Sequence, residues 1–186
     1  MSDFILTKEQ LQLRDETRKF VREGVSRQLI LDMDAEKISY PREYIQGLAT
    51  KNLIGLRFPK EYGGRSLDWS HEVLALEEIG VLGASLACLY SLPLIVGEAL
   101  HVFGSVEQKE KFLSKIITGQ VTVAEALTEP RGGSDFFGAM VTAQRDGDVY
   151  ILNGQKRFIV GAEGADLFLV YARTNPDITS HKAISA

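Results

Sequence analysis

The sequence has little of what several common chemistries require. Its 186 residues include a single cysteine, Cys88, so no disulfide can form within the chain. A single cysteine fits a reducing compartment, and we expect a cytoplasmic location. The three histidines, His71, His101 and His181, are far apart and have no second cysteine to join them. A zinc cluster is therefore not expected.

Signatures of nucleotide binding and of nucleophilic catalysis are also missing. The sequence has no P-loop and no Gly-x-Gly-x-x-Gly after a strand pattern. It has no nucleophile elbow, so nothing supports a Ser-His-Asp triad. Cys88 lies in an apolar run, where a small core residue is the more common role. We expect Cys88 to be a core residue rather than a nucleophile.

Positive charge is in slight deficit. Lys and Arg total 21 against 25 for Asp and Glu, which gives a net charge of −4. A mildly acidic chain lacks the basic field that nucleic-acid binding needs, so no nucleic-acid partner is expected. Residues 1–4 carry no basic stretch before an apolar run, so no signal peptide is expected.

One run, Ala84–Phe103, is apolar and long enough to cross a membrane. Pro93, Gly97, Glu98 and His101 interrupt it. These residues favour a helix that is buried on most of its surface. No membrane partner is therefore expected.

The residues that are present divide the chain near Gly119. Before Gly119, apolar residues recur at helical spacing, and capping residues mark the helix starts. Predicted helices begin at or just after Thr7, Pro41, Asp68 and Ser105. The sequence therefore predicts an all-helical domain over residues 1–119.

After Gly119, β-branched residues become frequent and the apolar pattern alternates with period two. The predicted strands are residues 121–123, 141–143, 149–152, 158–160 and 167–172. Asp146-Gly147 and Asn153-Gly154 favour tight turns between antiparallel strands, and residues 181–186 resemble the entry into a further strand. The fold class is therefore predicted as α+β, with an incomplete antiparallel β domain over residues 120–186.

One segment of the β half has the features of an anion site. Residues 125–135 combine a strand end, a proline turn and a Gly-Gly-Ser sequence. Consecutive backbone N–H groups in such a turn can converge on an anion, and the Ser134 hydroxyl adds a donor. Arg131 would supply the positive charge that the composition lacks. Because short glycine-rich turns are common, a plain loop remains the alternative.

Three motifs occur in a fixed order along the chain. Residues 58–64 read FPKEYGG, similar to Pro-x-x-(Tyr/Phe)-Gly-Gly. Residues 128–135 read TEPRGGSD, similar to Thr-Glu-Pro-x-x-Gly-Ser-Asp. Residues 153–160 read NGQKRFIV, similar to Asn-Gly-x-Lys-x-(Trp/Phe/Tyr)-Ile-(Ser/Thr). Together they resemble the acyl-CoA dehydrogenase family over nearly the whole chain.

The resemblance implies a fold and an activity. The family has an N-terminal helical domain, a middle β domain and a C-terminal four-helix domain, and FAD lies between the last two. Its members oxidise a fatty acyl-CoA to the trans-2-enoyl-CoA and pass electrons to an electron-transferring flavoprotein. They are typically homo-oligomers, often tetramers. By this comparison the chain is a fragment that lacks the C-terminal helical domain.

The resemblance also implies a set of FAD-binding residues: Glu125, Leu127, Thr128, Gly133, Ser134, Phe158, Ile159 and Val160. Leu127 and Thr128 would meet the pyrimidine edge of the flavin, and Gly133 and Ser134 would approach the pyrophosphate. Residues 158–160 would form a wall on one ring face, and Ser134 would also contact the acyl-CoA. The family's catalytic base is a Glu of the C-terminal domain, expected beyond Ala186, so no catalytic residue is assigned here.

The chain departs from the family pattern at two positions. Val160 stands where the family usually has Ser or Thr, whose hydroxyl donates toward the flavin N5. Arg131 replaces a small residue and would point either toward the phosphates or toward solvent.

Other interpretations remain open at this stage. Ala87 and Ser91 are small residues that would either leave room in an acyl pocket or serve ordinary helix packing. The chain as a whole could be an inactive helical/β interaction module. A relative such as an acyl-CoA oxidase or a nitroalkane oxidase would share the same motifs.

Overall fold

The computed structural model describes residues 5–175, 177–178 and 181–186, so the stretch on which the signal-peptide expectation rests lies outside the described residues. The side chain of His181 is also outside them. The α-helices are α1 Lys8–Lys19, α2 Arg27–Asp34, α3 Arg42–Thr50, α4 Trp69–Gly80, α5 Ala84–Phe103, α6 Val106–Gln108 and α7 Ser114–Ile117. π-Helical turns at Phe20–Gly24 and Lys109–Leu113 extend α1 and join α6 to α7.

Helix starts follow the capping residues that the sequence predicted. The Thr7 hydroxyl accepts from the Gln10 backbone N–H at 3.2 Å, and Gln10 Oε1 accepts from the Thr7 N–H at 2.9 Å. Asp68 Oδ1 accepts from backbone N–H groups in the first turn of α4. Ser105 and Gln108 form a second capping box at α6. Together with the start of α3, these predictions are confirmed.

Helix α2 is absent from the predicted helices. Its start has a local cap, because Ser26 Oγ accepts from the Leu29 backbone N–H at 3.1 Å. None of its residues is buried, and Leu29, Ile30 and Met33 pack only partly against the core. A short helix with a half-buried face gives a weak periodic pattern, which is why sequence reasoning missed it.

Helix α5 lies at the centre of the helical core. Leu86, Tyr90 and Val96 are buried in one cluster with Leu48 and Ile116. By length and composition alone α5 could cross a membrane, but a core helix of a globular protein passes the same test, so this is weak evidence. Helix α5 packs against α4 and against the β half. Only 44% of its most apolar stretch is buried, so the expectation of a helix buried on most of its surface is wrong.

The motif at residues 58–64 is an ordered loop, as predicted, with a 3₁₀ turn at Lys60–Tyr62. Gly64 passes so close to the carbonyl oxygens of Phe58 and Gly55 that a Cβ would collide with both. The Phe58 ring is buried against the α7 side of the helical core. The motif is therefore explained by backbone packing in the helical half.

The strands are β1 Val123–Ala126, β2 Thr142–Asp146, β3 Val149–Asn153, β4 Leu167–Val170, β5 Ala172–Arg173 and β6 Ile184–Ser185. β1 and β4 form a two-stranded sheet, and the other four strands pair in the order β3-β2-β5-β6. The predicted order of a helical part followed by a partial β domain is confirmed. The predicted pairing is only half right, because β2–β3 and β5–β6 are antiparallel while β1–β4 and β2–β5 are parallel. Parallel pairs join strands distant in the sequence, which local turn signals do not reveal.

The predicted turns and strand bounds are confirmed at some positions and wrong at others. Asp146-Gly147 lies at the β2–β3 hairpin, as predicted, with Gly147 at φ +59°. The first strand begins at Val123 rather than at residue 121, and the predicted entry into a strand near the end is confirmed by β6. The prediction of a strand at residues 158–160 is wrong, as is the hairpin at Asn153-Gly154. The chain leaves the sheet there because its backbone bonds to the loop after β1 instead of to a neighbouring strand.

Candidate functional site

Two of the three motifs meet in the β half. The Arg157 backbone N–H donates to the Thr128 carbonyl at 2.8 Å, and Lys156 Nζ donates to the Leu127 carbonyl at 3.0 Å. Both acceptors lie just after β1, where the chain has left its sheet. The structure therefore brings the predicted residues Leu127 and Thr128 next to the segment that carries Phe158.

A buried ion pair accompanies this contact. Lys156 Nζ lies 3.0 Å from Glu129 Oε1, and the two side chains are 10% and 5% exposed. Glu129 also accepts from the backbone N–H groups of Met140 at 2.6 Å and Val141 at 2.9 Å. Burial acts to raise the pKa of Glu129, but the two N–H groups and the ammonium outweigh it and hold that pKa below its ordinary value. Glu129 is therefore a structural carboxylate.

The turn after Glu129 presents the glycines and Ser134. Glu129 and Gly132 exchange backbone hydrogen bonds of 3.2 and 3.0 Å. A Cβ at Gly133 would lie 2.9 Å from Thr128 Oγ1, so the backbone passes close to Thr128 there. Ser134 is exposed, and no described residue provides an acceptor for its backbone N–H or hydroxyl. These groups are available to an anionic ligand.

Phe158 has an unusual backbone conformation. Its φ is +58°, a region that bulky residues rarely adopt, and its side chain is 75% exposed. The Arg157 guanidinium lies over the ring, 4.3 Å from its centroid. A strained residue that presents an aromatic ring to solvent is typical of a binding surface.

Ile159 and Val160 line a groove of about 1060 Å³ between the β half and the helices. The start of α5 contributes Ser85, Cys88 and Leu89 to the opposite side. Cys88 is exposed, so the expectation that it is a core residue is wrong. One face of the apolar helix is turned to the groove instead of the core.

Ala87 and Ser91 do not line this groove. Ser91 Oγ donates to the Ala87 carbonyl at 2.9 Å, one turn back along α5, and Ala87 packs against the helical core. Of the two interpretations left open by the sequence, ordinary helix packing accounts for both residues.

The side chain of Glu125 bonds to the neighbouring strand region. Its Oε1 accepts from the Tyr171 hydroxyl at 2.9 Å, directly after β4, the strand that pairs with β1. Burial, and then the hydrogen bond and charge of Glu125, raise the pKa of Tyr171 to about 12. The Phe136 ring meets Tyr171 edge-on, with centroids 5.2 Å apart. The Tyr171 hydroxyl therefore holds the Glu125 carboxylate in place.

Arg131 is engaged within its own loop. Its guanidinium forms an ion pair with Asp135, and Nε donates to the Gly138 carbonyl at 3.0 Å. The hydrogen bond and charge of Arg131 hold the pKa of Asp135 below its ordinary value. Neither orientation that the sequence left open describes this arrangement, in which Arg131 closes the 3₁₀ turn Phe136–Gly138.

Comparison with known proteins now identifies the family. The acyl-CoA dehydrogenase N-terminal domain matches residues 7–120, and the acyl-CoA dehydrogenase middle domain matches residues 124–186. The chain belongs to the acyl-CoA dehydrogenase family. Members of this family are FAD-dependent oxidoreductases.

Individual relatives cover different reactions. The chain is 39% identical over 164 residues to a 3-(aryl)acrylate reductase of Clostridium sporogenes, a match that covers 85% of this chain and 43% of that protein. It is 38% identical over 162 residues to a subunit of the caffeyl-CoA reductase-Etf complex of Acetobacterium woodii, with 85% and 43% covered. A solved glutaryl-CoA dehydrogenase of Mycobacterium smegmatis in complex with FADH2 superposes with a TM-score of 0.84 at 25% identity, covering 94% of this chain and 45% of that one. The chain spans less than half the length of these relatives.

The residues present fit a flavin cofactor. The exposed, strained Phe158 offers an aromatic face to a planar ring system. Gly133 brings the backbone close to Thr128, and Ser134 supplies donors without a partner among the described residues. Val160, two residues after Phe158, lines the groove that reaches the start of α5.

Sequence reasoning missed three features of the site. Lys156 lies inside a motif, and that position was the available signal for its importance. Tyr171 reaches Glu125 only through the β1–β4 pairing, for which the sequence carries no local signal. The groove residues Ser85 and Leu89 lie on an apolar helix whose pattern does not distinguish a groove from a core.

Proposed function

We propose that the chain forms the flavin-facing part of an FAD-dependent acyl-CoA dehydrogenase. The proposed reaction is the α,β-dehydrogenation of an acyl-CoA thioester to the trans-2-enoyl-CoA. One observation carries the proposal: the two motif segments are bonded to each other, and between them they expose Phe158 and Ser134.

Each predicted cofactor residue has a role in this proposal. Phe158, Ile159 and Val160 form a wall against one face of the flavin ring. Leu127 and Thr128 meet the pyrimidine edge, and Gly133 and Ser134 bind the pyrophosphate through backbone N–H groups and the Ser134 hydroxyl. Glu125 contributes through its backbone in β1. When bound, the flavin supplies the hydride chemistry, while the protein orients and shields it.

The groove is the proposed acyl site. It begins at Val160 on the flavin wall and reaches Ser85, Cys88 and Leu89 on α5. These side chains can exclude water around an acyl chain, and we propose Ser134 as a contact to the acyl-CoA. Removal of the proton from the substrate Cα needs a carboxylate base. In the family this base is a Glu of the C-terminal domain, expected beyond Ala186, so we propose no catalytic residue among these 186.

The proposed partners follow from the relatives. The similarity to an Etf-complex subunit favours an electron-transferring flavoprotein as redox partner. From the family resemblance we also propose a homo-oligomer, typically a tetramer, and a role in fatty acid metabolism. A cytoplasmic location is proposed from the single cysteine alone. No nucleic-acid or membrane partner is proposed.

Purification followed by turnover assays tests this function. The chain should be yellow with bound FAD. In a protein that also carries the carboxylate expected beyond Ala186, acyl-CoA should bleach the flavin band and reduce an electron-transferring flavoprotein. A colourless protein that gains no flavin on addition of FAD would instead support an inactive helical/β interaction module. Oxygen consumption without need of the flavoprotein would indicate an acyl-CoA oxidase-like enzyme.

The reverse direction is a second candidate, favoured by the similarity to two reductases. The same site would then deliver two electrons to the C2–C3 double bond of an enoyl substrate. Reoxidation of the dithionite-reduced protein by an enoyl-CoA, compared with reduction of the oxidised protein by the saturated acyl-CoA, decides which direction the protein favours.

A further inference from the structure

We infer that Lys156 is a positioning residue that sets the spacing between the two flavin-facing segments, with Glu129 as its anchor. This inference rests on the proposed function, because it concerns how that flavin surface is assembled. Lys156 contacts the proposed flavin-facing residues only through the Leu127 carbonyl, and its own side chain is not proposed to meet the cofactor.

The geometry places Lys156 at the junction of three pieces of chain. Its Nζ donates to the Leu127 carbonyl and to Glu129 Oε1, both at 3.0 Å. Glu129 in turn accepts from the backbone N–H groups of Met140 and Val141. One ammonium therefore joins the segment before Phe158 to the loop after β1 and, through Glu129, to the chain that enters β2.

The junction depends on the opposite charges of Lys156 and Glu129. Lys156 and Glu129 are both nearly buried, so each ion depends on the other for compensation. If Lys156 loses its charge, Glu129 keeps its two N–H donors but loses its counter-ion. We expect the pKa of Glu129 to rise and the junction to loosen.

The position of Lys156 in the sequence connects the junction to the cofactor surface. Lys156 lies two residues before Phe158, and the Arg157 N–H in between bonds to Thr128. The two bonds from residues 156 and 157 therefore hold the Phe158 backbone against residues 127 and 128. Phe158 itself has a strained φ, so it depends on such restraints to keep its ring in place.

The test compares FAD affinity with thermal stability in four versions of the intact protein: wild type, Lys156→Met, Glu129→Gln/Lys156→Met and the control Lys115→Met. Lys115 is exposed on α7, so its variant should behave as the wild type. Lys156→Met should lower the melting temperature and raise the FAD dissociation constant about tenfold, as expected for loss of bonds from a charged group. FAD affinity is measured by fluorescence quenching on the apoprotein.

The double variant separates positioning from stability. It removes the unpaired carboxylate charge, so the melting temperature should recover toward wild type, while the FAD dissociation constant should stay raised because the link to Leu127 is still missing. Recovery of both together, or an unchanged dissociation constant in Lys156→Met, would overturn the inference and leave the proposed function standing. Failure of the wild type to bind FAD would overturn both.

Discussion

Arg42 and Asp166 form a two-point ion pair that joins the helical part of the chain to the β part. Arg42 Nη1 and Nη2 lie 3.2 and 3.1 Å from the two Asp166 carboxylate oxygens, and Nη2 also donates to the Gly164 carbonyl at 2.9 Å. Asp166 accepts from the backbone N–H and hydroxyl of Thr122 at 2.9 and 2.7 Å. Thr122 and Asp166 precede the parallel strands β1 and β4. The ion pair therefore fixes α3 to the start of the sheet from which residues 127–135 emerge.

This ion pair predicts a pH dependence of stability. The Arg42 guanidinium, with the two Thr122 donors, holds the pKa of Asp166 well below its usual range. A lowered pKa in the folded state stabilises the fold above the unfolded pKa of about 4, and that stabilisation is lost as the pH falls further. We predict that Asp166→Asn is less stable than wild type at pH 7 and that the difference closes below about pH 4.

Thermal unfolding at pH 7, 5, 4 and 3 measures this difference. Asp148→Asn is the matched control, because Asp148 is exposed next to the β2–β3 turn, where Asn is well tolerated. A constant difference between wild type and Asp166→Asn across the whole pH series would contradict the role assigned to the carboxylate charge.

Two helical glycines, Gly97 in α5 and Gly80 at the end of α4, should respond to alanine in opposite ways because their surroundings differ. A Cβ at Gly97 would lie 2.5 Å from Cζ of the buried Phe58 ring, whereas a Cβ at Gly80 would meet nothing within 4 Å. Gly97→Ala should destabilise the protein by about 1–3 kcal/mol through overpacking. Gly80→Ala should stabilise it by up to about 1 kcal/mol, since alanine favours a helix. Urea unfolding of both variants checks the signs, and equal effects would contradict the packing described.

The Glu125–Tyr171 hydrogen bond predicts that the Tyr171 hydroxyl ionises at an abnormally high pH. Burial and the neighbouring carboxylate raise the pKa of Tyr171 to about 12. The difference in tyrosinate absorbance between wild type and Tyr171→Phe should therefore appear only near pH 12. In Glu125→Gln the same step should move to lower pH, because the carboxylate charge is gone. A step at the same pH in both backgrounds would show that Glu125 does not bear on Tyr171.

The replacement of Ser or Thr by Val160 predicts a shift in flavin potential. Val160 cannot donate a hydrogen bond, and its side chain is 41% exposed at the edge of the groove. Because Val160 is proposed to lie beside the flavin, Val160→Thr should shift the midpoint potential by about 20 mV, as expected for one hydrogen bond made in only one redox state. Val160→Ala, which changes size without adding a donor, should leave it within a few millivolts. Potentiometric titration of the bound flavin distinguishes the two variants.

Sequence reasoning succeeded where the signal was local. Thr7 with Gln10 and Asp146-Gly147 specify a helix start and a hairpin through groups within a few residues of one another. The two motifs of the β half were predicted to share one site, and the structure does bring them together through the Arg157–Thr128 and Lys156–Leu127 bonds. Their role in FAD binding stays a prediction.

It failed where contacts distant in the sequence decide the structure. Residues 158–160 are three consecutive apolar residues, two of them β-branched, as is typical of a strand, yet the Arg157–Thr128 bond holds the chain next to the loop after β1 instead of a neighbouring strand. The parallel pairing of β1 with β4 joins segments about 40 residues apart, and no turn signal marks it. Cys88 has the apolar neighbours of a core residue, and only the docking of the helix shows that it faces a groove.

FAD binding by the apoprotein tests the central claim most directly, when wild type is compared with Phe158→Ala and Phe103→Ala. Both phenylalanines are highly exposed, but Phe103 ends α5 in the helical part, away from the proposed flavin wall. We predict that wild type and Phe103→Ala bind one FAD per chain with equal affinity and that Phe158→Ala binds it about tenfold more weakly. Absence of FAD binding in the wild type, or equal affinity in all three proteins, would contradict the account.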